Sequence, residues 1–156
     1  MTNAEVVRRY IAAQVDHDYD TQAALRHRHW SAVWPQSGEV VRGNANMRAI
    51  LEHYPGGPPR LSPRGNLVGS EDRWAVSPLG GAYRVAGEGE NWWADWEVAY
   101  ADGKSWRVIT LIELCDGLIQ RETSFWAEPF SAADWRAQWV ERSDEGGNGG
   151  RVLPRP

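Results

Sequence analysis

Two Asp-Gly pairs, Asp102-Gly103 and Asp116-Gly117, constrain this chain more than anything else in it. Each separates runs rich in β-branched and aromatic residues, and Asp-Gly in that setting is the strongest short-range signal for a two-residue hairpin. Strands are therefore expected at 91–101, 104–115 and 118–127, joined as an antiparallel meander. Further strands are expected at 64–70, 73–77 and 81–87, where the pattern has the two-residue period of a strand.

Before residue 63 the period is helical. Thr2-Asn3-Ala4-Glu5 reads as a capping box, and Val7, Tyr10, Ile11, Gln14 and Val15 follow at helical spacing, which predicts a helix over about 4–17. Asp20 is expected to cap a short second helix running to Arg28. Asn44 is expected to cap a third, with Met47, Ile50, Leu51 and Tyr54 on one face, stopped by Pro55-Gly56-Gly57-Pro58-Pro59. Between them, His29 to Trp34 and Gly38 to Arg42 read as a hairpin or bulged strand. A last helix is expected after Ser131, carrying Trp135 and Trp139. Residues 143–156 are glycine-rich and expected to be disordered, leaving one domain over 1–142.

Composition excludes several functions. The 156 residues carry 17 Lys and Arg against 21 Asp and Glu, a net charge of -4, so no basic surface for nucleic acid is implied. The single Cys115 excludes a disulfide framework and a thiolate cluster. No His-x-Glu or His-x3-His pattern suggests a metal, and Gly87-Glu88-Gly89 lacks the following helix of a nucleotide site, so no cofactor is expected. Charges interrupt the only apolar stretch near the start, so neither a leader nor a membrane span is expected, and the location expected is cytoplasmic. Ten Trp against two Phe is unusual, and a chain this size cannot hide ten indoles without placing some at a pocket or an interface.

If both Asp-Gly turns are two-residue loops, the meander register follows by counting. One face collects Trp92, Ala94, Trp96 and Val98, then Arg107, Ile109, Leu111 and Glu113, then Gln120, Glu122, Ser124 and Trp126. The other collects Trp93, Asp95, Glu97, Val108, Thr110, Ile112, Arg121, Thr123 and Phe125, among others. Both faces carry apolar residues and need covers, helices on one side and a second copy of the chain on the other, which predicts a homodimer. On the first face Glu113 and Glu122 are diagonal neighbours, roughly 7 to 8 Å apart. Two carboxylates among indoles suit acid-base work, unless Arg107 or a helix Arg neutralises them.

The helix pair, the strand ending in Trp34-Pro35, the third helix after Gly43, and the long meander ending in Gly117-Leu118-Ile119-Gln120-Arg121-Glu122-Thr123-Ser124-Phe125-Trp126 together resemble the nuclear transport factor 2-like superfamily. SnoaL-like polyketide cyclases and ketosteroid isomerase share that fold. The resemblance implies an α+β fold, a cone-shaped curved mixed β-sheet wrapped around N-terminal helices (a cystatin-like α+β barrel). It implies a pocket between sheet and helices, with Glu122, Ser124 and Trp126 pointing in and Tyr10 resembling the isomerase's oxyanion tyrosine. The isomerase's catalytic acids do not carry over, since Trp34 precedes the corresponding Pro35 and the second acid aligns near Leu111.

The expectation is thus a cofactor-independent pocket protein acting by proton transfer on a hydrophobic cyclic or aromatic substrate, as an isomerase, cyclase, dehydratase or epoxide hydrolase. Glu122, Glu113 and His29 are the candidate catalytic groups. Tyr10, Trp34, Gln36, Trp92, Trp96, Arg107, Ser124 and Trp126 are the candidate substrate-binding groups. Of the other histidines, His17 and His53 are expected near helix ends, facing terminal carbonyls. The alternatives are a non-catalytic binder of an apolar ligand and a structural dimer whose tryptophans belong to core and interface.

Overall fold

The computed structural model describes residues 1–61, 74–76 and 82–142. The strand expected at 64–70 and the disorder expected at 143–156 lie outside them. In chain order the elements are α1 (Asn3–Val15), α2 (Tyr19–Leu25), β1 (Arg26–Trp34), β2 (Glu39–Arg42), α3 (Asn44–Glu52), β3 (Arg60–Leu61), β4 (Trp74–Val76), β5 (Ala82–Glu88), β6 (Asn91–Ala99), β7 (Ser105–Cys115) and β8 (Leu118–Ala127). All eight strands join one mixed sheet in the order β2-β1-β8-β7-β6-β5-β4, with β3 pairing β6. β1 and β8 are parallel and the other pairs antiparallel. Helix α1 lies across the sheet and touches both β8 and β5, which are three places apart in that order, an arrangement consistent with the expected cone fold.

The capping box at Thr2 and Glu5 starts α1, whose Val6, Val7, Tyr10 and Ile11 are buried against Trp30, Ala94, Ile112 and Ile119. Three local expectations need correction. Asp18, not Asp20, caps α2, and α2 ends at Leu25, so the residues from Arg26 to Arg28 are already strand. Gly43, with φ of 76°, precedes α3 and no side chain caps it; Asn44 instead uses its side-chain oxygen to accept from Arg26. The last element is a 3-10 helix, Asp134–Trp139, with Trp135 and Trp139 more than two-thirds exposed.

The meander departs from counting at two places. Asp116-Gly117 is a two-residue loop with both residues at positive φ, and Cys115 pairs Leu118 as expected. The other turn is longer. Tyr100 N–H donates to the Lys104 carbonyl and Gly103 N–H to Tyr100, so Ala99 pairs Ser105 and the register moves by one. On β8 a bulge leaves Gln120 extra, since Leu114 pairs Ile119 but Glu113 pairs Arg121. Beyond the bulge the two shifts cancel between β6 and β8, so β7 is reversed, and before the bulge Ile119 turns inward beside Leu114. The buried side of β7 is Val108, Thr110, Ile112 and Leu114, and its outer side is Arg107, Ile109, Leu111 and Glu113.

Ile112→Ala should therefore lower stability by about 2–5 kcal/mol, whereas Glu113→Gln should change it by less than about 0.5 kcal/mol. Urea unfolding of both variants checks this. The opposite ranking would restore the register obtained by counting.

Candidate active site

Glu122 is the centre of the site. It is 3% exposed on β8, between Ala32 of β1 and Ile112 of β7. Tyr10 and Gln14 are one helical turn apart on α1, so both reach it from one face of the helix. Tyr10 O–H donates to Oε1 in a short contact, Trp30 Nε1 donates to Oε1 at 2.8 Å, and Gln14 Nε2 donates to Oε2 at 2.7 Å. A carboxylate offers about four acceptor positions. Oε1 is filled by two donors, and Oε2 keeps one position open.

The charge of Glu122 is balanced from one side. Arg26 is buried, with Nη2 at 3.7 Å from Oε1, and its guanidinium stacks 3.7 Å over the Trp30 ring. Arg26 Nε donates to Tyr10 Oη at 2.7 Å, Nη1 to Asn44 Oδ1 at 3.1 Å and Nη2 to Gln22 Oε1 at 3.2 Å. Burial, reinforced by the charge of Glu122, holds the Tyr10 hydroxyl well above the usual tyrosine range, so it stays a donor. Cutting one partner from such a pair costs about 3–5 kcal/mol, because the other charge is left buried alone.

This carboxylate faces a chamber of about 340 Å³ between the sheet, α1 and α3, a size suited to a small ring compound. Ile11 and Val15 wall one side and Met47, Ile50 and Leu51 another. Trp96, Val98, Thr110 and Ser124 line the sheet side. The Thr110 and Ser124 hydroxyls lie 2.8 Å apart, so one hydrogen serves their mutual bond and the other is left for a ligand. At the mouth the Trp34 and Trp126 rings meet edge to face at 5.6 Å, and the Tyr54 and Tyr100 rings at 6.2 Å. These four also line an open groove of about 780 Å³ outside, with Gln36, Asp102 and Lys104.

The candidate residues divide accordingly. The fold brings Tyr10, Trp34, Trp96, Ser124 and Trp126 to Glu122 or its chamber. Gln36 stands outside it, its amide bonded at both ends to the Trp126 backbone. Trp92 packs on the core and donates to the Gly89 carbonyl at 2.9 Å, away from the chamber lining. Glu113 and Arg107 are corrected: reversal of β7 puts both on the outer face, Glu113 3.9 Å from Arg121 and Arg107 3.9 Å from Glu97. His29 is corrected too, because β1 begins at Arg26 and leaves it exposed beside Arg28.

Gln14, Arg26, Trp30 and His17 were not among the sequence candidates. Gln14 carried a signal, since it shares the buried stripe of α1 while being polar. Arg26 and Trp30 carried none, because the end of α2 was placed too late. His17 ends α1 in the left-handed region, φ 56°, and lines the chamber instead of facing terminal carbonyls. Burial first, then the Arg60 charge, lowers its pKa below the usual imidazole value.

No sequence-family profile matches the chain, and no curated protein matches it. Solved structures do. An NTF-2-like protein of unknown function from Burkholderia xenovorans is 26% identical, with a TM-score of 0.66 over 90% of this chain and 94% of that one. A Kribbella flavida protein assigned provisionally as a ketosteroid isomerase is 19% identical, with a TM-score of 0.67 over 95% of each chain. TerC, co-crystallised with polyporic acid, is 20% identical, with a TM-score of 0.51 over 78% of this chain and 88% of that one. The fold is that of the nuclear transport factor 2-like superfamily. Among the described residues no helix is long and apolar enough to cross a membrane.

Because the native state holds His17 with a lowered pKa, its neutral form contributes stability that is full above about pH 6.5 and is lost as pH falls towards the native value. Between about pH 6.5 and 5 the urea midpoint of the wild type should fall more steeply than that of His17→Gln. Parallel slopes would place the ring in solvent.

Proposed function

We propose that this protein binds a hydrophobic ring compound in the chamber and moves a proton on it through Glu122, without a cofactor. The observation that carries this reading is the one open acceptor position on a buried carboxylate otherwise saturated with donors. Oε2 would accept a proton from a carbon beside a ring carbonyl. The spare Thr110 or Ser124 hydroxyl hydrogen would hold the oxygen on which negative charge develops, and Glu122 would return the proton at a second position. Isomerisation and ring closure both need such a transfer. Neighbours described as a ketosteroid isomerase and a polyketide cyclase, and one crystallised with the ring compound polyporic acid, support this type of chemistry. With Arg107 and Glu113 on the outer face, a two-acid hydrolase with an arginine between its acids is the reading least supported.

The saturation of Glu122 also favours a second reading, a binder whose buried charges only fix the pocket. Deuterium exchange into 2-tetralone, followed by NMR, separates the two, with binding measured by tryptophan fluorescence. Exchange should exceed the buffer rate and fall about 10²–10⁴-fold in Glu122→Gln, while the dissociation constant changes only a few fold. Gln14 can turn its amide to meet the new one, but Arg26 loses its counter-charge, so far-ultraviolet circular dichroism establishes that the variant is folded before its exchange rate is read. Saturable binding without exchange would make the protein a binder. Trp126→Phe should weaken binding in either case.

The outer face supports a proposal about the partner. Val40, Val33, Thr123, Leu111 and Trp93 form one row across five strands, with Phe125 and Ile109 in the next. Val40, Ile109, Leu111 and Phe125 are each 40% exposed or more. A second copy of the chain covering this face is the proposed arrangement, in a cytoplasmic protein. Light scattering should give a dimer for the wild type and a folded monomer for Leu111→Arg; a wild-type monomer would end the proposal.

A further inference from the structure

At the end of β8 away from Trp126, the β7–β8 turn brings three different donor atoms together. One ring nitrogen of His27, Cys115 Sγ and one carboxylate oxygen of Asp116 all lie within 4.8 Å of one another. His27 is there because of a defect in the sheet. β1 pairs β8 at Arg26 with Ile119 and next at Ser31 with Arg121, so five steps on β1 are matched to two on β8. The slack falls on residues 27–30. Glu90 and Asp116 add negative charge beside the thiol.

We propose that His27, Cys115 and Asp116 bind a divalent transition-metal ion of the zinc class, separately from the chamber. One imidazole, one thiolate and one carboxylate are the donors that Zn²⁺ and Co²⁺ accept, whereas Mg²⁺ and Ca²⁺ take oxygen alone. Three protein donors leave a fourth position for water. Tetrahedral bonds of zinc length put donors about 3.5 Å apart, so they must close by about 1 Å. Asp116 is exposed and the other two half-buried, so a tight turn at the rim of the sheet can make that movement. Binding displaces the Cys115 thiol proton to solvent. It also displaces the 3.2 Å bond from His29 N–H to His27 Nδ1, either directly or by moving the ring proton. With His27 and Cys115 separated by 87 residues, no spacing motif in the sequence marks such a site.

Titration of the full-length, tag-free, reduced protein with Co²⁺ tests this. The expected result is one ion per chain, with a thiolate-to-cobalt charge-transfer band in the near ultraviolet, intense tetrahedral d–d bands in the visible, and displacement by Zn²⁺. Cys115→Ser and Cys115→Ala should both abolish the charge-transfer band. His27→Ala and Asp116→Asn should weaken binding at least about tenfold, with unchanged far-ultraviolet circular dichroism. No charge-transfer band at millimolar Co²⁺ would overturn the proposal. So would a band indifferent to His27→Ala, which would mean that the thiol alone captures the ion.

Discussion

The buried pairing of Arg26 with Glu122 is the constraint on which the rest of this structure depends. It joins the start of β1 to the middle of β8, the one parallel contact in the sheet, and draws Tyr10 and Gln14 of α1 down onto the same point. A buried ion pair rarely adds net stability, because desolvation offsets most of the attraction. Here each of the three guanidinium nitrogens has a hydrogen-bond acceptor, and the Tyr10 and Gln14 bonds to the carboxylate fix how the helix sits against the sheet. The chamber is the space left beside that fixed point, where Ala32 occupies a sheet position that a larger residue would fill.

Much of this was legible in the sequence, for identifiable reasons. The Thr2 capping box, the α1 stripe and the Asp116-Gly117 turn are local signals, and each formed the element expected. Glu122, Ser124 and Trp126 were placed on the right face, but by two cancelling slips of one residue. A loop whose backbone closes from Tyr100 to Lys104 and a bulge at Gln120 are both invisible to alternation of side chains. Between them β7 is reversed, taking Glu113 and Arg107 with it, as is Ile119 before the bulge. The partner of Glu122 was overlooked because α2 was extended over Arg26, where the chain had already turned to strand to feed the parallel contact. Non-local pairing, absent from any short window, set that boundary.

Seven of the ten tryptophans fall into distinct settings. Trp30 is spent on the charge network, Trp92 on the core, and Trp34, Trp96 and Trp126 on the chamber. Trp135 and Trp139 stand exposed on the 3-10 helix that follows β8. An excess of indole in a sequence says little about any single residue, since the same ring serves as donor, wall or surface group according to what reaches its N–H.

One tie at the mouth shapes how a ligand could enter. The Gln36 amide accepts from the Trp126 N–H and donates to the Trp126 carbonyl, the exchange of bonds that a neighbouring strand would make. The β1–β2 hairpin and the end of β8 are thereby fastened together, with Trp34 on one and Trp126 on the other. The two rings cannot swing apart as independent flaps. They form a doorframe whose width changes only if the hairpin travels with it.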